Sequence, residues 1–145
     1  MTEDNYKPPD LALVGEEHVR RYFETNGEVG HDWNGVPALV LTTIGRKSGE
    51  ERHSALIYGR LGNDYVVVAS MAGAPTHPAW FLNLTADPNV VVQVGAERFA
   101  AVARTVEGVE RANSWSEMLR IWPNYEVYQS RTDRVIPVVL LKRAQ

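Results

Sequence analysis

The sequence predicts an α+β fold that is mainly β: a small, mostly antiparallel barrel of six strands with helices packed outside it. Two glycine-centred turns between β-branched runs, Gly62-Asn63 and Gly95-Ala96, mark tight hairpins. At Val36 the apolar period changes from helical to strand-like, which opens the sheet. No strand–helix–strand unit of nucleotide-fold size stands out, so hairpins rather than crossovers build the architecture.

Taken in order, residues 1–10, with Pro8-Pro9, read as a flexible arm, and residues 11–145 as one barrel domain. Residues 11–26 carry apolar side chains at Leu11, Leu13, Val14, Val19, Tyr22 and Phe23, and Gly27 stands where a helix end wants a left-handed residue. A helix is expected there. A β-branched strand follows over 37–43, broken by Gly45-Arg-Lys-Ser-Gly49. Strands over 55–58 and 65–69 flank Gly62-Asn63, and strands over 90–94 and 98–106 flank Gly95-Ala96. Between these pairs lies a short helix over 78–86, ended by Pro88. A longer one over 107–122 spaces Val109, Ala112, Trp115, Leu119 and Trp122 by three and four and stops at Pro123. Residues 135–141 form the sixth strand, with Pro137 putting that stretch at an edge or a strand start.

Composition narrows the chemistry. A net charge of −3, from 18 acidic and 15 basic side chains, gives no field that draws the whole molecule to nucleic acid or anionic lipid. With no cysteine, thiolate catalysis, disulfides and Cys-ligated metals are excluded. The longest apolar run covers seven residues against roughly 20 for a membrane-spanning helix, and the acidic start is unlike a secretion signal. A cytoplasmic protein with no integral membrane segment is expected. No G-x-S-x-G, H-E-x-x-H, P-loop or G-x-G-x-x-G pattern occurs. His18, His31, His53 and His77 are scattered and read as surface or loop residues. No metal site is expected, since nothing completes the His31-Asp32 pair.

Three segments retain chemical interest. Arg46, Lys47 and Arg52, with Ser48, His53 and Ser54, crowd a Gly-bounded turn fit to grip phosphate or carboxylate oxygens; a solvated hairpin tip is the competing reading. Ala69-Ser-Met-Ala-Gly-Ala-Pro-Thr-His-Pro-Ala-Trp80 runs from a small-residue strand end through a Gly/Pro loop into a helix start, where backbone can approach a planar ligand. Trp122-Pro-Asn-Tyr125-Glu-Val-Tyr128 is an aromatic cluster after a helix stop.

Together with Leu41-Thr-Thr-Ile-Gly45, Asp87-Pro-Asn-Val90 and Tyr125-Glu-Val-Tyr-Gln-Ser-Arg-Thr-Asp-Arg134, these segments resemble the deazaflavin-dependent nitroreductase family, in order and with similar spacing from about residue 37 to 141. The resemblance implies an FMN-binding-like split β-barrel and the coenzyme F-420, an 8-hydroxy-5-deazaflavin. It implies hydride transfer to a quinone, nitroaromatic or activated alkene. Arg46, Lys47 and Ser48, assisted by Arg52, would hold the coenzyme's phosphate and glutamyl tail. His53, Ser54, Ala55, Leu56 and Ile57, with Val68, Ala69, Ser70 and Met71, would lie along its rings. Ala79, Trp80 and Asn83 would close over them. Tyr125, Ser70 and Tyr128 would face the acceptor and steady the charge that grows on it.

Two departures stand out. Met71 replaces a lysine that many relatives carry in a Ser-Lys-Gly-Gly stretch, and Trp122 replaces a tyrosine. The alternatives are a split-barrel oxidoreductase using FMN, and a non-catalytic carrier of deazaflavin or a lipid-like ligand. The expected partner is a small-molecule electron acceptor, and the expected assembly a monomer or homodimer.

Overall fold

The computed structural model describes residues 6–144. Its eight strands are β1 (Asp32–Trp33), β2 (Val36–Ile44), β3 (Glu51–Ile57), β4 (Gly59–Leu61), β5 (Asp64–Val68), β6 (Asn89–Val94), β7 (Glu97–Thr105) and β8 (Val138–Arg143). The helices are α1 (Gly15–Glu24), α2 (Ala79–Ala86), α3 (Gly108–Ile121) and α4 (Asn124–Ser130). Strand pairing runs β1-β2-β6-β7-β8-β5-β4, with β3 on β2 off this path, and every pairing is antiparallel. The sheet is a curled, split-barrel surface of mainly β character, as the sequence predicts. No helix among the described residues is long and apolar enough to cross a membrane.

Six strands were expected and eight are present. Two additions, β1 and β4, are two and three residues long, too short to show a period of two. The hairpins also differ. Gly62-Asn63 joins β4 to β5, whereas β3 pairs with β2 through the Gly45–Gly49 turn, in register Ile44↔Glu51 to Ala38↔Ile57. The Gly95-Ala96 turn joins β6 to β7 as expected, with Gly95 at φ +61°. Pro137 immediately precedes β8, which lies between β7 and β5, so proline marks a strand start and not an edge.

The apolar run of β8 is explained by its two covered faces. Val139 and Leu141 join Leu39, Leu41, Val67, Val92 and Leu84 in the core inside the curl. Val138 and Leu140 join Val66, Val68, Met118, Trp122 and Ile136 under α3 and α4. Successive residues point to opposite faces, and each fully buried aliphatic side chain stabilises by roughly 1.5–3 kcal/mol.

The first helix is shorter than its periodicity. Asp10 accepts the Ala12 N–H in an Asx turn, so the chain enters α1 only at Gly15. At its end Gly27 takes φ +83° and donates to Tyr22 O, the left-handed stop foreseen. A side chain there would lie 2.6 Å from Gly95, so glycine lets α1 rest on the β6–β7 turn. Fully buried Tyr22 ties the same junction, donating to Ala38 O at 3.0 Å and accepting from Gly95 N–H at 2.8 Å. Of the expected N-terminal arm, residues 1–5 lie outside the described residues. Residues 6–10 are held by the Lys7–Asn124 and Asp10–Asn34 bonds and by Tyr6 against the Tyr128 ring.

Candidate active site

A cleft opens where β3 and the end of β5 diverge beneath α1, α2 and α4. Its apolar half, about 280 Å³, is walled by Ala55, Leu56 and Ile57 of β3, by Val68, and by Trp80, Trp122, Tyr125 and Tyr128. Its basic half, about 250 Å³, is lined by Arg46, Lys47, Ser48, Arg52, Ser54, Ala79 and Asn83. Trp80 borders both halves, and the adjacent pairs Ser54-Ala55 and Pro78-Ala79 each contribute one residue to either side, so the two adjoin.

The basic half is a hairpin tip pinned to a helix. Asn83, buried on α2, accepts the backbone N–H of Arg46 and its Nη1, both at 3.2 Å, and donates to Thr43 Oγ1. The turn closes with Gly45 N–H to Glu50 O and Gly49 N–H to Gly45 O, Gly49 standing at φ +74°. Ser48 Oγ accepts from Glu50 N–H and from Arg52 Nη2. Lys47 is exposed and makes no hydrogen bond or ion pair with a described residue. The outcome is an anchored turn with an uncommitted ammonium and most of a guanidinium free for an anion.

The loop after β5 forms the opposite wall. Met71 and Ala72 hold left-handed conformations at φ +47° and +54°, which cost roughly 1–2 kcal/mol per non-glycine residue. Arg134 supports them from across the molecule. It donates to Ala69 O at 3.1 Å, Ser70 O at 2.8 Å and Ala74 O at 2.8 Å, and faces His77 Nδ1 at 3.0 Å. Facing a guanidinium, His77 Nδ1 is the acceptor. Burial and that cation both hold the His77 pKa below the usual imidazole range. Arg131 adds a bond to Ala72 O.

On a third wall, α4 turns Tyr125 and Tyr128 inward. Burial pushes the Tyr125 phenol well above its ordinary range, and no described residue hydrogen-bonds its hydroxyl. Tyr128, raised mainly by burial, accepts from Trp122 Nε1 at 3.4 Å. Ser70 lines the cleft with its hydroxyl uncommitted. No enclosed side-chain nitrogen or oxygen among the described residues lacks a partner, so these two free hydroxyls are open to the cleft.

Most of the residues expected at the site therefore meet there. His53 and Ala69 do not. His53 is exposed, bonded to Thr42 Oγ1 at 2.8 Å and edge-on to Phe23 of α1; Ala69 is fully buried in the core. Alternation along β3 turns His53 away from Arg52 and Ser54, whereas Ala69 follows the end of β5 and packs into the core. Sequence reasoning missed His18, which is buried and lines the cleft with Val14, Gly15, Trp33 and Ala38, rather than sitting on the surface. It also missed Arg134, whose loop contacts lie 57 to 65 residues away and leave no local signal.

The cleft suits an elongated ligand with flat apolar rings and an anionic end. Small side chains at Ala55 and Ala79 leave room, and the cations are gathered at one end. Comparison with known proteins agrees. The model of the family described as F420H(2)-dependent quinone reductase matches residues 14–143. An F420H(2)-dependent quinone reductase of Mycobacterium tuberculosis is 42% identical over 130 residues, covering 87% of either chain. A solved F420-H2 dependent reductase superposes with a TM-score of 0.69 at 39% identity, covering 73% of this chain and 94% of that one. A second solved relative, described as a domain-swapped dimer, gives 0.71 at 36% identity over 87% and 95%.

Proposed function

This chain belongs to the F420H(2)-dependent quinone reductase family, and from that premise we propose that it reduces quinones in the cleft between β3, α2 and α4. It is a coenzyme F-420-dependent oxidoreductase; the family's description names F420, and not FMN, as the cofactor. The observation that carries the reading is the adjacency of a cationic turn and an apolar slot that share Trp80.

Arg46 and Lys47 hold the anionic end of the coenzyme by charge-assisted bonds, with Ser48 and Arg52 beside them. Asn83 keeps that turn in place. Ala55, Leu56, Ile57, Val68 and Trp80 wall the ring system and exclude water, while Ser54 and Ala79 line the passage between the halves. When bound in its reduced form, the deazaflavin supplies a hydride. Tyr125 and Ser70 donate hydrogen bonds to the acceptor oxygen on which negative charge accumulates, and Tyr128 closes the aromatic wall. Met71, an uncharged residue on the rim, leaves the anionic end to the Arg46–Arg52 turn. Nitroaromatics and activated alkenes, which also gather negative charge on accepting hydride, are further acceptors.

Two measurements test this. Titration with oxidised coenzyme is expected to show micromolar binding by quenching of its fluorescence, and reduced coenzyme with a benzoquinone should turn over. A preparation that ignores the deazaflavin and retains FMN overturns the reading. The homodimer is the assembly we favour, by extension from the solved relative described as a domain-swapped dimer. Light scattering after size exclusion is expected to return twice the chain mass; a monomer at high micromolar concentration rules it out.

A further inference from the structure

The apolar half of the cleft holds one titratable group with no part in the scheme above, His18 on α1. The residue is 5% exposed. Its Nε2 stands 2.8 Å from Gly30 O, and since a carbonyl only accepts, Nε2 carries the proton. The ring lies nearly parallel to Trp33 at 6.4 Å and 19°, and Gly30 fits so closely that a side chain there would come within 3.0 Å of Cδ2. These contacts fix the imidazole plane. What remains is Nδ1. No described group bonds it, yet no enclosed polar side-chain atom lacks a partner, so Nδ1 has access to the space that His18 borders.

We propose, on the functional reading of the cleft given above, that His18 Nδ1 hydrogen-bonds the bound quinone and delivers the proton that accompanies hydride transfer. Conversion of a quinone to a hydroquinone takes one hydride and one proton. As the hydride and its electron pair arrive from the reduced deazaflavin, the Nδ1–H bond breaks, its pair stays on nitrogen, and an O–H bond forms on the quinone. The coenzyme is oxidised, the quinone is reduced, and the neutral ring recovers its proton from water. The Nε2–H bond to Gly30 O persists in both protonation states and keeps Nδ1 aimed.

Competing donors are poorly suited. Tyr125 and Tyr128 share the cleft, but burial pushes both phenols up, so they donate hydrogen bonds without releasing protons. Tyr22, whose ring packs against His18 from the same helix, is likewise raised and spends its hydroxyl on Ala38 O. Glu17, the adjacent acid on α1, is paired with Arg20. Trp33 and Gly30, which cover the ring from the other side, do not titrate.

The test uses two acceptors and His18→Gln, which keeps a donor for Gly30 O and has no titratable nitrogen, with His18→Asn as the second variant should the first fail to fold. Benzoquinone needs a proton with its hydride; N-methylphenazonium, a cation, takes hydride alone. Quinone turnover is expected to fall about 100-fold while N-methylphenazonium turnover and coenzyme affinity stay within about threefold. Independently of turnover, the ¹⁵N resonance of His18 Nδ1 is expected to shift when 1,4-hydroquinone is added to protein carrying oxidised coenzyme. Equal losses with both acceptors, undiminished quinone turnover, or an unmoved resonance overturns the role of His18. Failure of the unsubstituted chain to reduce benzoquinone overturns the functional reading instead, and this role falls with it.

Discussion

Tyr125 shows what burial does to a single side chain. Its phenol sits against Trp115 and Tyr128, with burial favouring the neutral form and no acceptor for its hydrogen among the described residues. Such a hydroxyl stays protonated at any working pH and keeps its donor for a ligand. Tyr125→Phe removes the donor and leaves the ring. We expect kcat for a quinone to drop by roughly 10–100-fold, because a donor aimed at developing charge acts mainly in the transition state. Coenzyme affinity should remain within twofold in a fluorescence titration. Equal losses in kcat and binding would mean that Tyr125 only packs. Met71 and Ala72 present the opposite case, residues kept in costly conformations by bonds from Arg134 and Arg131 to the surrounding carbonyls. Strain of this kind persists only where neighbouring structure overdetermines it.

In the proposed reading two elements carry the ligand contacts, and each has its own test. The β2–β3 turn is held by Asn83 of α2, so its cations are presented by a rigid frame rather than a loose tip. Arg46→Ala with Lys47→Ala should weaken coenzyme binding by about 2–4 kcal/mol if both meet anionic oxygens. An isothermal titration with unchanged affinity would show the turn to be merely solvated. The loop from Ala69 to His77 depends on a neutral imidazole facing a guanidinium. The pKa of His77 is lowered in the folded state, so the stabilising contribution is present above the unfolded pKa of about 6.5 and is lost as pH falls through the lower folded value. Limited proteolysis of this loop should therefore accelerate between pH 7 and pH 5, and His77→Asn should remove most of that dependence. A rate flat with pH in the unsubstituted chain would contradict the pairing.

Across the whole molecule, buried tyrosines join the helices to the sheet. Tyr22, Tyr58, Tyr125 and Tyr128 are all shifted upward by burial. Raised folded values mean that their stabilisation is complete below the free phenol's pKa of about 10 and fades as pH rises past it towards the folded values. The melting temperature is accordingly expected to hold from pH 7 to 9 and to decline steeply above pH 10; a plateau through pH 11 would argue against these shifts. The same wide packing explains what was legible in the chain. The positions of the turns, the Gly27 helix stop and the basic Gly-bounded turn depend on neighbouring residues and were readable, though not which strand Gly62-Asn63 joins to β5. The helix at Asn124–Ser130 was not, because seven residues dense in aromatics show no clear period and are fixed by their burial against Trp122, Tyr6 and Trp115. By itself, then, the sequence determined the mainly β fold, the family and the position of the basic turn, since each is written in local backbone preference or contiguous motif. Tertiary structure alone decided that His53 turns away while His18 turns in, and that Arg134 supports a loop some sixty residues distant. Those outcomes depend on the curl of the sheet and on which surfaces the helices cover, and no short stretch of chain encodes either.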